Sequence, residues 1–230
     1  MEEIVKALSE QRLATYGSHA SEYSEAIESY QRNVILCSFL YFELHIFEIV
    51  FRNAIHCAAT QILKNDKWIL DLYHRDPKTI QHFKDHLNEK AISQLEKNIN
   101  GARKSFKDAG KKQINEGDLI AAMTFGFWTT CISKQYHYIF IQKGILGKAF
   151  PNAPKKEFEN ISQDADGIRK LRNRVSHHEP IFNHKDLSIK RQNIKKLTEY
   201  ASPATAKYFF PDSHKKIENF IMKISSQNKK

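Results

Sequence analysis

A chain of 230 residues that is 41% hydrophobic can bury one core with room for an extension, and its 8 Gly and 6 Pro are too few for a loop-rich all-β design, which leaves a helical one. The formal charge of +10 favours polyanionic partners, RNA or DNA ahead of an acidic membrane. Cys37, Cys57 and Cys131 form no C-x-x-C pair and two lie in apolar runs, so they read as buried free thiols of a reducing cytosol rather than a disulfide framework.

Residues 1–11 have acidic side chains early and no apolar core of signal length, so no leader is expected. Residues 4–16 form an amphipathic segment, within an N-terminal arm of residues 1–21 that breaks over 17–21. From about Glu22 one long helix runs to about Leu63 and opens a single domain over 22–225. Residues 34–55 are apolar on nearly every face, the pattern of a surrounded helix. Glu43, His45 and Glu48 interrupt the stretch 34–51, so it is a poor membrane span and a good buried helix. One stripe is the exception: Ser38, Tyr41, His45, Glu48, Arg52 and His56 step by three or four and share one side. Glu48 and Arg52 have the spacing of an i,i+4 ion pair. If buried, this stripe needs partners, and the motif helix described below could supply them. Glu48, Arg52 and Asn53 then either fix the bundle or support a site.

Residues 64–78 read as a connector holding Trp68. A polar helix over 79–102 and a lysine-rich loop over 103–113 follow, the loop either solvated or a phosphate-touching arm. Asp118 caps a helix over 119–137 whose Gly126, among aromatics, would permit close approach of a neighbour. Residues 142–154 read as a loop. After the motif come a turn at 183–184, a basic helix over 185–200, a helix started by Ser202-Pro203, a last helix over 213–224, and a frayed tail over 226–230.

The stretch 168–182, IRKLRNRVSHHEPIF, concentrates the chemistry. Phe158, Ile161, Ala165, Ile168 and Val175 recur at helical steps, and Arg172 falls on the same stripe. A cation there needs a partner or a cleft. Pro180 disfavours helix at Glu179 and ends the run. Arg172, Asn173 and His177 therefore lie within about one and a half turns of a helix end. An arginine can hold a phosphate bidentately, a histidine can move protons near neutral pH, and an asparagine can orient either partner or a ribose hydroxyl. The plain alternative is a helix end whose cations sit well on its dipole.

Arg172-Asn173-x-x-x-His177 resembles the R-N-x-x-x-H signature of the HEPN superfamily. The longer string RNRVSHHEPIF is similar to its Abi-like branch, the abortive-infection proteins of the AbiD/AbiF type. The likeness extends over LSEQRLATY, FELHIFEIVFRNAIH, FGFW at 125–128 and SPATAKYF at 202–209. It implies an all-α HEPN-like bundle with a long central N-terminal helix and extra C-terminal helices, usually a homodimer, with a metal-independent ribonuclease site at the dimer cleft. In this reading Arg172 binds and polarises the scissile phosphate, His177 is general acid or base, and Asn173 orients the 2′-hydroxyl or the imidazole. His178 and Glu179 tune the site, while Lys170, Arg174, Lys190 and Arg191 are candidate RNA contacts. In-line attack benefits from both an acid and a base, and a two-fold dimer would supply a second histidine.

H-E-x-x-H and glycine-rich phosphate loops are absent, so neither a metal nor another cofactor is expected. The expected protein is a cytoplasmic RNA-cleaving toxin or phage-defence effector, dimeric, off the membrane, with a possible cognate antitoxin RNA or protein. The alternative is a HEPN-type module that binds RNA or protein without cutting.

Overall fold

The computed structural model describes residues 1–17, 23–182 and 186–210. The expected turn at 183–184, last helix and frayed tail lie outside these residues. Among the described residues there are helices and no strands, so the fold is all-α.

The arm is two short helices, α1 (Glu2–Leu8) and α2 (Glu10–Leu13), hinged at Ser9, whose backbone is left-handed and whose hydroxyl accepts from the Arg12 amide. Val5, Leu13 and Tyr16 of the arm pack with Ala26 in a small core of their own. The long helix α3 (Tyr23–Leu63) has 41 residues and is about 60 Å long. Leu36, Leu40, Leu44, Phe47, Phe51 and Ile55 bury one of its faces. The opposite face is not surrounded as the sequence suggested. Val34, Ile35 and Tyr41 are exposed, and Phe42, though partly exposed, meets the Phe209 ring.

The expected connector contains α4 (Trp68–His74), and Trp68 is fully buried against Phe83, Phe127, Trp128 and Phe140. The Glu116 carboxylate accepts from the Ile69 and Leu70 amides and so caps α4 from a distance. The single helix expected over 79–102 is two. Asp76 caps α5 (Pro77–Lys84), and Asn88 restarts the chain as α6 (Glu89–Asp108). The lysine-rich segment is helical through Asp108, where the sequence suggested a loop. There Arg103 donates to the Leu72 and Tyr73 carbonyls at the end of α4.

The helix expected over 119–137 also divides. Asn115, not Asp118, caps α7 (Glu116–Ala122), and Asp118 completes the capping box from inside it. Thr124 caps α8 (Phe125–Cys131), which puts Gly126 in a first turn. A Cβ on Gly126 would meet nothing closer than 3.7 Å, so close approach does not require this glycine. A 3-10 turn (Lys134–Tyr136), a π-turn (His137–Ile141) and the short α9 (Ile145–Ala149) follow, the last inside an expected loop. Then come α10 (Phe158–Ser176), α11 (Leu187–Ala201) and α12 (Pro203–Phe209), the last capped by Ser202 as its sequence suggested.

α8, α9, α10 and α11 pack on α3. Cys131 is buried and Cys37 half-buried, but Cys57 is exposed; all three are free thiols.

Candidate active site at the end of the motif helix

Ile161, Ala165, Ile168, Leu171 and Val175 form the buried face of α10. Leu171, not Arg172, is the core position in its last turns. Arg172 sits at the edge of that face, half-buried and turned toward α3.

The helix stops at Ser176, earlier than Pro180 alone would require. His177 is the C-cap, and the next residue, His178, is left-handed with φ 57°. The His178 amide donates to the Val175 carbonyl and the Glu179 amide to the Arg174 carbonyl, the paired bonds of a Schellman turn. Arg12 of the arm reaches over and donates to the His178 carbonyl at 2.7 Å. One residue past Pro180, the Ile181 amide donates to the buried Asn33 side chain, which in turn donates to the Tyr16 hydroxyl. The Tyr16 ring stacks on Phe182. The arm therefore clamps the motif turn, a function its sequence did not announce. His178→Gly should keep this turn and relieve the left-handed side chain. Urea unfolding should show a gain on the order of 1 kcal/mol, and a loss would mean the imidazole holds the turn.

Glu48 and Arg52 do not pair with each other. The Glu48 carboxylate takes both Nε and Nη2 of Arg172, each at 2.8 Å. A facing helix can offer a guanidinium fork square to a carboxylate, whereas a neighbour four residues along offers a single looser contact. Arg172 Nη1 donates to Asn173 Oδ1 at 3.3 Å, and its guanidinium carbon lies 5.7 Å from the centre of the Phe125 ring. Three groups thus fix Arg172: a carboxylate, an amide and an aromatic face. Arg52 is half-buried, and its Nε has no hydrogen-bond partner. Asn53 is exposed and makes no hydrogen bond with the motif.

A depression of about 200 Å³ opens above this pair, lined by Tyr41, Leu44, His45, Glu48, Arg172, Val175 and Ser176. His45 is exposed and stacks on Tyr41. The sequence placed both on the polar stripe, yet assigned neither a role. Their signal was the step of three and four toward Glu48. His177 is exposed beyond the rim and makes no side-chain hydrogen bond among the described residues.

The suggested RNA contacts are mostly engaged. Lys170 pairs with Asp166 at 2.8 Å, and Arg174 lies 3.5 Å from Glu179 and donates to the Pro180 carbonyl. Burial lowers the Lys190 pKa, against the pull of Asp186. Arg191 departs most from expectation. Its side chain is 11% exposed and forks onto Glu43, itself 3% exposed, tying α11 to α3. Among the described residues no group of three or more His, Cys, Asp or Glu side chains could hold a metal ion.

The site is therefore a helix end in an all-α bundle that presents a fixed, carboxylate-paired arginine, with exposed His45 lining its depression and exposed His177 five residues along the chain. Comparison with protein-family models, characterised proteins and solved structures found no match to this chain.

Proposed function

We propose that this protein is a metal-independent endoribonuclease of the HEPN type, acting in the cytoplasm as a toxin or phage-defence effector. The observation that carries the reading is the fixing of Arg172 by Glu48 and Asn173 beside the exposed His177. A preorganised guanidinium costs little reorganisation when charge develops on a phosphate. Glu48 uses Nε and Nη2, and Asn173 takes one N–H of Nη1, so the second N–H of Nη1 is left for a phosphate oxygen.

In the proposed step a base takes the proton of the ribose 2′-hydroxyl and the 2′-oxygen bonds to phosphorus. The bond to the 5′-oxygen breaks, and an acid returns a proton to that oxygen. His177 is one of the two proton carriers. The second is either His45, which lines the Arg172 depression, or His177 of a second subunit. A His45→Ala variant that keeps full activity would leave the second subunit as the source.

Val34, Ile35 and Tyr41, exposed on α3, suit a two-fold dimer, because Tyr41 also lines the depression that holds Arg172. α3 is also long and apolar enough to cross a membrane by length and composition. Its Glu43 and Glu48 are ion-paired to α11 and α10, however, and spanning a bilayer would break both pairs. Val34→Glu should therefore yield a monomer by light scattering where the wild type is a dimer. A wild type that is already monomeric at micromolar concentration would end the dimer proposal.

The non-catalytic alternative draws on two observations: Glu48 already neutralises Arg172, and His177 is not among the residues lining its depression. Incubation with total bacterial RNA in EDTA, followed by mapping of ends, tests the choice. Discrete cuts support the nuclease, and RNA retained intact supports a binding module for RNA, with any antitoxin RNA or protein as its partner.

A further inference from the structure

A cleft much larger than the Arg172 depression lies one turn before Arg172 on the same helix. It is about 1120 Å³, larger than the roughly 300–1,000 Å³ usual for a compact small-molecule site. An extended ligand fits such a space better than a compact one. Ser162, Asp166 and Arg169 of α10 line it and step by four and three residues. The next step of four on this face is Asn173, beside Arg172. The opposite wall begins at Thr124 and Gly126, which flank Phe125, the residue whose ring meets Arg172. The last α10 residue lining the cleft, Arg169, is three positions before Arg172, so the cleft and the Arg172 depression lie close along one helix.

The construction of the cleft is unusual for a core-forming bundle. Three of the eight glycines, Gly126, Gly144 and Gly147, line it and leave its wall open. Gly144 has φ +80°, a conformation that a side chain would strain. Another part of the wall is the π-turn, a geometry that is rare and concentrates at functional sites.

The lining also says what it would take. Its ionic side chains balance: Lys134 and Arg169 against Glu159 and Asp166. The remaining polar groups are mostly hydroxyls and amides, among them Thr129, Thr130, Gln135 and Gln163. A cleft for a polyphosphate backbone would carry surplus cations. A largely uncharged array of donors and acceptors, with the half-buried Phe158 among them, suits nucleobases, which are neutral, flat and rich in hydrogen-bonding edges. Arg169 gives Nε and Nη2 to Asp166, so its Nη1 remains for a phosphate at the rim.

We propose that this cleft is a base-reading subsite that takes unpaired nucleotides flanking the bond cut at Arg172 and His177. The proposal rests on the nuclease reading above. Only single-stranded RNA can turn its bases into such a cleft, so duplex RNA should be excluded.

Two measurements test it on the full chain. The first photo-cross-links an unstructured oligoribonucleotide carrying 4-thiouridine to His177→Ala protein, which binds without cutting. Cross-links should fall in peptides covering 124–147 and 159–169, and a matched duplex should give few. Cross-links confined to other faces, or an equal yield from the duplex, would overturn the proposal. The second fills the cleft with Ser162→Trp. Cleavage of a long single strand should fall about tenfold, the scale of one lost base contact. A dinucleoside monophosphate, too short to reach the cleft, should be cut as by the wild type. Long RNA cut at the wild-type rate by Ser162→Trp would refute the subsite and leave the nuclease standing. A wild type that cuts nothing yet cross-links through the cleft would support the subsite and refute the nuclease.

Discussion

His177→Ala should lower RNA cleavage about a hundredfold or more, the usual scale for a lost general acid or base, while RNA binding persists. The prediction is clean because His177 is exposed and its imidazole makes no hydrogen bond among the described residues. Its removal should shift the melting temperature little, as for other surface substitutions. A loss of cleavage would then be chemical and not structural. The wild-type reaction should persist in excess EDTA, because the only carboxylate lining the Arg172 depression among the described residues, Glu48, is already held by that arginine. Products should carry 2′,3′-cyclic phosphate and 5′-hydroxyl ends, and 2′-O-methyl RNA should resist. Arg172→Lys should also be slow, since lysine keeps the charge but cannot fork onto Glu48 and still face a phosphate. Activity that disappears with EDTA and returns with magnesium, or normal cutting of 2′-O-methyl RNA, would show these roles to be wrong.

The largest stability effect should come from a residue away from the motif. Arg191→Ala leaves the Glu43 carboxylate, 3% exposed, without the guanidinium that forks onto it. Stranding one member of a buried pair costs about 3–5 kcal/mol, enough to lower the melting midpoint by roughly 10 °C in a chain of this size. The penalty arises from the buried charge that has lost its guanidinium fork more than from the lost attraction. Replacing both partners by apolar residues, Glu43→Leu with Arg191→Met, should therefore recover most of it. If Arg191→Ala melts with the wild type, Glu43 finds water or another cation and the pair is not what holds α11 on α3.

The sequence by itself determined the all-α fold, because long runs at helical spacing need no tertiary information to be read. It placed α3 and α10 nearly at their observed limits, and it located Ser202 as a cap and Arg172, Asn173 and His177 at a helix end. It misread the middle of the chain. α4, α5, α7 and α8 have seven or eight residues each, about two turns, too few for a period to separate from a loop or a longer neighbour. The starts of α5, α6, α7 and α8 are set by Asp76, Asn88, Asn115 and Thr124, polar residues that cap or sit in a helix with similar ease until packing selects one.

Only the tertiary structure decided the pairings. Glu48 has a suitable cation four residues away in Arg52, yet it takes Arg172 from 124 residues away, because a facing helix offers the whole guanidinium fork. Arg191 looked like part of a basic surface, but the approach of α11 to α3 turns it inward to Glu43. The same packing leaves Val34, Ile35 and Tyr41 exposed and brings His45 to the Arg172 depression. Periodicity records which residues share a side of one helix. Which helix comes to lie against that side depends on the arrangement of all the others, and a one-dimensional pattern does not carry it.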